Sequence, residues 1–148
     1  MDYTPALMGT LQKLPLFQDL SPSQLKLLFK LCSQESYPVD EVLCRAGGDS
    51  DRMFILLAGS VEVRTDTGKI LVRETAVTTI GEAGMLTGEQ RSASVVAVVP
   101  VTTLAIQRRP LMRLMQQDAN LAIQLYRNVL LEVRQKMIAV DRRIEEMV

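Results

Sequence analysis

The stretch from about residue 38 to 107 most restricts what this chain can fold into. It breaks into short pieces, "EVLCRA", "MFILLA", "SVEVR", "KILVRE", "RSASVVAVV" and "TTLAI", rich in β-branched and large aliphatic residues. Turn signals such as "RAGGDSDR" and "DTG" separate them, and Thr67-Gly68 suits a hairpin. Six or more short strands at this spacing imply an all-β roll or barrel.

On either side the period changes. Residues up to about 37 read as helical. In "SPSQLKLLFKLC", Ser21 stands as N-cap, Pro22 at the first helical position and Gln24 at the third, the arrangement of a capping box. Leu25, Leu28 and Cys32, with Leu27 and Leu31, form a helical stripe. From about 109 to 148 the chain reads as helical again. "RRPLMRLMQQ" is short, and from Asp118 to Val148 there is neither Gly nor Pro.

Within that last stretch Tyr126, Leu130, Val133, Met137, Val140, Ile144 and Met147 recur at spacings of 4, 3, 4, 3, 4 and 3. This is a heptad seam. A helix folded back on a globular body shows a broader stripe of period 3.6. The expectation is a homodimer through this seam, with Ala122, Leu125 and Val129 on a neighbouring face covering the roll.

Length and composition limit the function. At 148 residues the chain is expected to be one domain, in segments 1–37, 38–107 and 109–148. Lys+Arg and Asp+Glu each total 17, so no net charge draws it to nucleic acid or anionic lipid. With no histidine, the usual general base, haem ligand and most zinc sites are gone, and no metal site or cofactor is expected. Cys32 and Cys44 have no metal-binding spacing and read as small buried hydrophobes. No nucleophile–base pair is visible, so an enzyme is not expected. "MDYTPALMGTLQKLP" is not a signal peptide, and "VVAVVPVTTLAI" is too short to span a bilayer. A cytoplasmic protein without a membrane segment is expected.

One stretch carries chemistry: "IGEAGMLTGEQRSASVV", Ile80 to Val96. It reads as the end of a strand, a tight turn and a short helix beginning near Gly81. Gly81 lets backbone approach a ligand, and the first helical turn offers free N–H groups to an anion. Glu82 can accept a hydrogen bond from a sugar hydroxyl. Arg91 is expected to open a strand, sharing a face with Ala93, Val95 and Ala97. If that face points inward, the guanidinium needs a partner, for which a phosphate is suited. The competing arrangement is a Glu82–Arg91 ion pair inside an empty roll, a scaffold that dimerises through its last helix.

"GEAGML", four intervening residues and "RSASVV" resemble the phosphate-binding cassette of the cyclic nucleotide-binding domain family. "LPLFQDLSPSQLKLL" resembles that family's entry helix. "RAGGDSDRMFILLAGSVEV", with Gly48, Asp49 and Gly59, resembles its glycine–aspartate and Gly-x-Val-x-Val stretch. The resemblance implies an eight-stranded jelly-roll-like β-roll, mainly β, with an N-terminal helix, a short helix and a long C-terminal hinge helix. It implies a regulatory module that senses a cyclic nucleotide, cyclic AMP or cyclic GMP, and relays the event through its last helix to an effector protein. By position, Gly81, Ala83 and the neighbouring Gly84 would lie by the cyclic phosphate and Glu82 would hold the ribose 2′-hydroxyl. Arg91 would neutralise the phosphate beside Ser92 and Ala93, and Leu71 and Val72 would wall the base. The family's Gly-Pro-Gly-like turn before the cassette is replaced here by "ETAVTTIGE". Where catabolite-activator-like members carry a Thr-Ser pair on the long helix, register places Lys136 and Met137. No helix-turn-helix follows in these residues, so a sensor that does not read DNA by itself is expected, either standing alone or as a domain cut from a longer protein.

Overall fold

The structure is a computed structural model and describes residues 2–147. Three short helical pieces come first: α1 (Pro5–Gln12), a 3-10 turn (Pro15–Phe17) and α2 (Pro22–Lys30). Strands β1 (Cys32–Tyr37), β2 (Val42–Cys44), β3 (Arg52–Ala58), β4 (Ser60–Arg64), β5 (Ile70–Thr75) and β6 (Thr78–Ile80) follow. Helix α3 (Glu82–Thr87) interrupts them before β7 (Ser94–Ala97) and β8 (Val101–Gln107). Helices α4 (Arg108–Gln117) and α5 (Ala119–Met147) end the chain. The strands pair as two antiparallel sheets, β1-β8-β3-β6 and β2-β7-β4-β5. This is the mainly β roll with flanking helices that the sequence implies.

Strand β3 shows why the run "MFILL" is apolar without alternation. Phe54 and Leu56 face the opposite sheet, packing with Val61, Ile80, Ala97 and Ala105. Met53 and Ile55 face the helices, packing with Leu25, Leu111, Leu121 and Leu125. A strand covered on both sides needs hydrocarbon at every position. Fully burying one such side chain contributes on the order of 1.5–3 kcal/mol.

The local signals act as their chemistry dictates. Ser21 Oγ accepts from the Gln24 N–H while Gln24 Oε1 accepts from the Ser21 N–H, closing the capping box. The β4–β5 hairpin turns at Thr67-Gly68, where the Gly68 N–H donates to Thr65 O at 2.9 Å. The first block ends sooner than expected: residues 32–37 are not helix but β1, so Cys32 opens a strand. "CSQESY" has no β-branched residue, yet it pairs with β8 from Cys32↔Ile106 to Tyr37↔Val101. As an edge strand it has one paired neighbour and a largely wet surface, so polar residues are tolerated there.

Helix α5 divides along its length. Leu121 and Leu125 are buried in the helical side of the core, and Ala122 and Val129 pack against it. Buried Asn128 donates from Nδ2 to Leu16 O at 2.7 Å and Gln18 O at 2.9 Å, fixing the helix to the 3-10 turn. The heptad residues Tyr126, Leu130, Val133, Met137, Val140, Ile144 and Met147 are all exposed. Among the described residues no helix is long and apolar enough to cross a membrane.

Candidate functional site

Strand β6 ends at Ile80, and Gly81 turns the chain into α3 with φ +79°. An L side chain is strained in that region, and a Cβ here would also collide with Arg91 Nη1. Met85 and Leu86 anchor the helix in the core. Gly84 permits a second close approach, since a Cβ there would lie 2.5 Å from Ser50 Oγ. The β2–β3 loop therefore presses against α3. Glu82, first residue of the helix, is only 9% exposed.

Arg91 is not in a strand. It lies in the loop before β7, which begins at Ser94. Its backbone is claimed by the "RAGG" loop instead: the Gly47 N–H donates to Arg91 O and the Arg91 N–H to Gly48 O, both at 2.8 Å. That pairing replaces the β-ladder expected from the sequence and aims the side chain across the turn. Nη1 donates to Gly81 O at 3.1 Å and Nη2 to Arg52 O. The residue is 9% exposed.

Ion pairs among the described residues join Arg52 to Glu35, Arg64 to Glu62 and Arg127 to Asp19. Arg91 is in none of them, and Glu82 does not clamp it. A buried cation answered only by carbonyl dipoles is expensive, by several kcal/mol in desolvation. Its five N–H donors are also only partly used.

Gly81, Glu82, Ala83, Gly84, Arg91, Ser92 and Ala93 all line one cavity of about 260 Å³. Its apolar wall is Cys44, Val63, Ile80 and Val95, and Glu74, Thr79, Gln90 and Lys136 add polar groups. Leu71 and Val72, expected on that wall, are exposed and do not line the cavity. They lie on β5, the edge of its sheet, where the register shifts between Val63 and Arg64. Val63, directly opposite Val72, lines the cavity instead. The hairpin turn at Gly68 was the sequence signal that could have located it. Lys136 reaches the cavity from α5, whereas Met137 is exposed. On the far side of Arg91 and Cys44 lies a wider cleft of about 490 Å³, bordered by Arg45, Arg52, Arg108 and Arg109 with Asp49 and Asp51.

Glu132 is the residue the sequence reading missed. From α5 its carboxyl lies within hydrogen-bonding reach of that of Glu82, and its Oε1 is buried with no partner. Burial, then the Glu82 charge and the hydrogen bond to it, push the Glu132 carboxyl up to about 7; Lys136 pulls the other way. Both cysteines are free thiols, and burial raises them, Cys32 to about 12. Among the described residues no acidic or cysteine cluster could hold a metal.

Comparison with known proteins gives this geometry a context. The profile of the cyclic nucleotide-binding domain family matches residues 34–118. A cyclic nucleotide-gated potassium channel of Mesorhizobium japonicum is 32% identical over 120 residues, 81% of this chain and 33% of the channel. The cGMP-dependent protein kinase 2 of Homo sapiens is 29% identical over 123 residues, 83% of this chain and 16% of the kinase. The chain thus spans a third or less of these curated relatives. A cyclic nucleotide-binding domain from Methylobacillus flagellatus superposes with TM-score 0.79 and 26% identity, over 95% of this chain and 82% of that one. The catabolite activator protein of Thermus thermophilus shares the fold, with TM-score 0.73 and 23% identity over 90% and 62% of the two chains. Because the profile match takes in more than half of its length, this chain belongs to the cyclic nucleotide-binding domain family.

Proposed function

We propose that the chain is a cytoplasmic regulatory module that binds cyclic AMP or cyclic GMP in the 260 Å³ cavity and passes the event to α5. One observation carries the reading: buried Arg91 has no carboxylate partner and borders the same cavity as Glu82. The cyclic phosphate takes guanidinium donors that the Gly81 and Arg52 carbonyls leave over. The ribose 2′-hydroxyl donates to Glu82, and the base lies against Val63 and Val95. Backbone N–H groups at Gly81 and Ala83 complete the phosphate contacts.

Binding of this kind acts as a switch only if the ligand prefers one of two arrangements. Helix α3 carries Glu82, and α5 packs on α3 through Glu132. Tightening α3 around a ligand therefore changes what α5 rests on. The output is read through the exposed seam of Tyr126, Leu130, Val133, Met137, Val140 and Ile144, where two copies or an effector protein meet. The role is binding, with no catalytic step.

The test is the melting temperature of the chain with and without saturating cyclic AMP, cyclic GMP or a cyclic dinucleotide. A ligand at 100 times its Kd adds about 2.7 kcal/mol of stability and raises the midpoint. An unchanged midpoint with all of them would leave the scaffold reading in its place. Sedimentation of the same samples reports the dimer, and a monomer at every concentration removes the seam from the account.

A further inference from the structure

The position of Glu132 is difficult to account for as packing. A long polar side chain on α5 brings one carboxyl oxygen, Oε1, into a buried spot without a partner, and meets a second carboxyl, that of Glu82. Two ionised carboxylates in that contact repel. One proton between them converts the repulsion into a charge-assisted hydrogen bond. The surrounding groups do little to replace that proton. Lys136, one turn further along α5, is the cation acting on Glu132, and it is solvent-exposed. On the other side of α5, Pro15 and Gln18 border Glu132, and neither ionises. Asn128 is engaged by the Leu16 and Gln18 carbonyls. Glu74 and Arg91 line the cavity together with Glu82 and Lys136.

We propose that Glu132 is a positioning residue for the ligand: in its neutral form it donates to Glu82, holds that carboxylate for the ribose hydroxyl, and ties both nucleotide affinity and the seating of α5 to one shared proton. The inference rests on the assignment of Glu82 to the ribose. It has a defined direction. Glu132 titrates at about 7, so the pair keeps its proton below neutrality and loses it above. An anionic ligand arriving beside the pair favours the protonated form, so binding takes up protons and affinity falls as pH rises. Neither the phosphodiester nor the base titrates near neutrality, which leaves the protein as the source of the dependence.

The experiment is calorimetric titration of the parent chain and of Glu132→Gln with cyclic AMP and cyclic GMP at about pH 6 and about pH 8. The expected result for the parent is a Kd weaker at the higher pH by up to about tenfold, the limit for one linked proton. Glu132→Gln keeps a donor for Glu82 and cannot ionise, so it should retain the tighter Kd at both values. A parent titration at about pH 7, in two buffers of different ionisation enthalpy, measures the proton uptake without any substitution. A parent Kd that does not change with pH, a Glu132→Gln slope equal to the parent's, or zero proton uptake each overturns the proton linkage alone. No binding at any pH overturns the cyclic nucleotide reading, and the linkage with it.

Discussion

Two arginines in contact handle their charge in opposite ways. At the rim of the roll, Arg52 on β3 has a side chain 33% exposed, pairs with Glu35 of β1 at 2.8 Å, and lies 5.1 Å from the centre of the Phe54 ring. In the cassette, Arg91 is 9% exposed and donates to two backbone carbonyls, one of them that of Arg52 itself. Where water already screens the charge, the chain supplies a carboxylate; where screening is poor, it does not. Stability alone would favour the reverse. An unneutralised buried cation at a cavity wall is instead what an anion-binding site requires.

The largest expected effect comes from removing each arginine in turn. Arg91→Ala should weaken cyclic nucleotide binding by about 2–5 kcal/mol, the usual consequence of removing one partner of a buried charged contact. Arg52→Ala should leave the calorimetric Kd within a few-fold of the parent. Equal losses from both would dissolve the contrast.

Gly81→Ala sharpens it next. The substitution imposes a strained φ of +79° and puts a methyl group where Arg91 Nη1 lies. Urea unfolding should show a loss of about 1–3 kcal/mol, and ligand affinity should fall with it. An alanine variant that unfolds and binds like the parent would mean that the Arg91 side chain is not held against Gly81. On the rim the expected effect is smaller. Glu35→Gln should change stability by less than about 1 kcal/mol, because the pair it breaks is partly solvated.

A pH dependence of stability is expected as well. Folding raises the Glu132 carboxyl from 4.5 to about 7, so the folded chain binds more protons than the unfolded one between those values. This contribution is complete below the unfolded value, declines as pH rises through the window, and is lost above the folded one. Melting curves of the parent and Glu132→Gln should therefore diverge from about pH 5 to about pH 7 and run parallel above.

Much of this was legible in the residues because local rules met no opposition. Ser21 and Gln24 cap a helix in any context, and Thr67-Gly68 turns a hairpin wherever two strands need joining. The order of "GEAGML" and "RSASVV" located the cavity's charged end, since both poles come from one short stretch. Tertiary pairing hid the rest. Polar "CSQESY" became a strand because β8 offered it an open edge. Arg91 left the strand that its β-branched neighbours suggested because Gly47 and Gly48 took its backbone. The apolar wall shifted from Leu71 and Val72 to Val63 at an irregularity in the ladder. The Glu82–Glu132 contact joins residues fifty positions apart, through a helix crossing that no local pattern encodes.

The most direct measurement is the nitrogen and proton resonance of the Arg91 guanidinium, followed by NMR as cyclic nucleotide is added. These signals should move in step with binding and show coupling to the phosphorus of the bound nucleotide, as N–H···O–P contacts require. A nucleotide that binds while the Arg91 guanidinium signals stay as they are in the free chain would contradict those contacts.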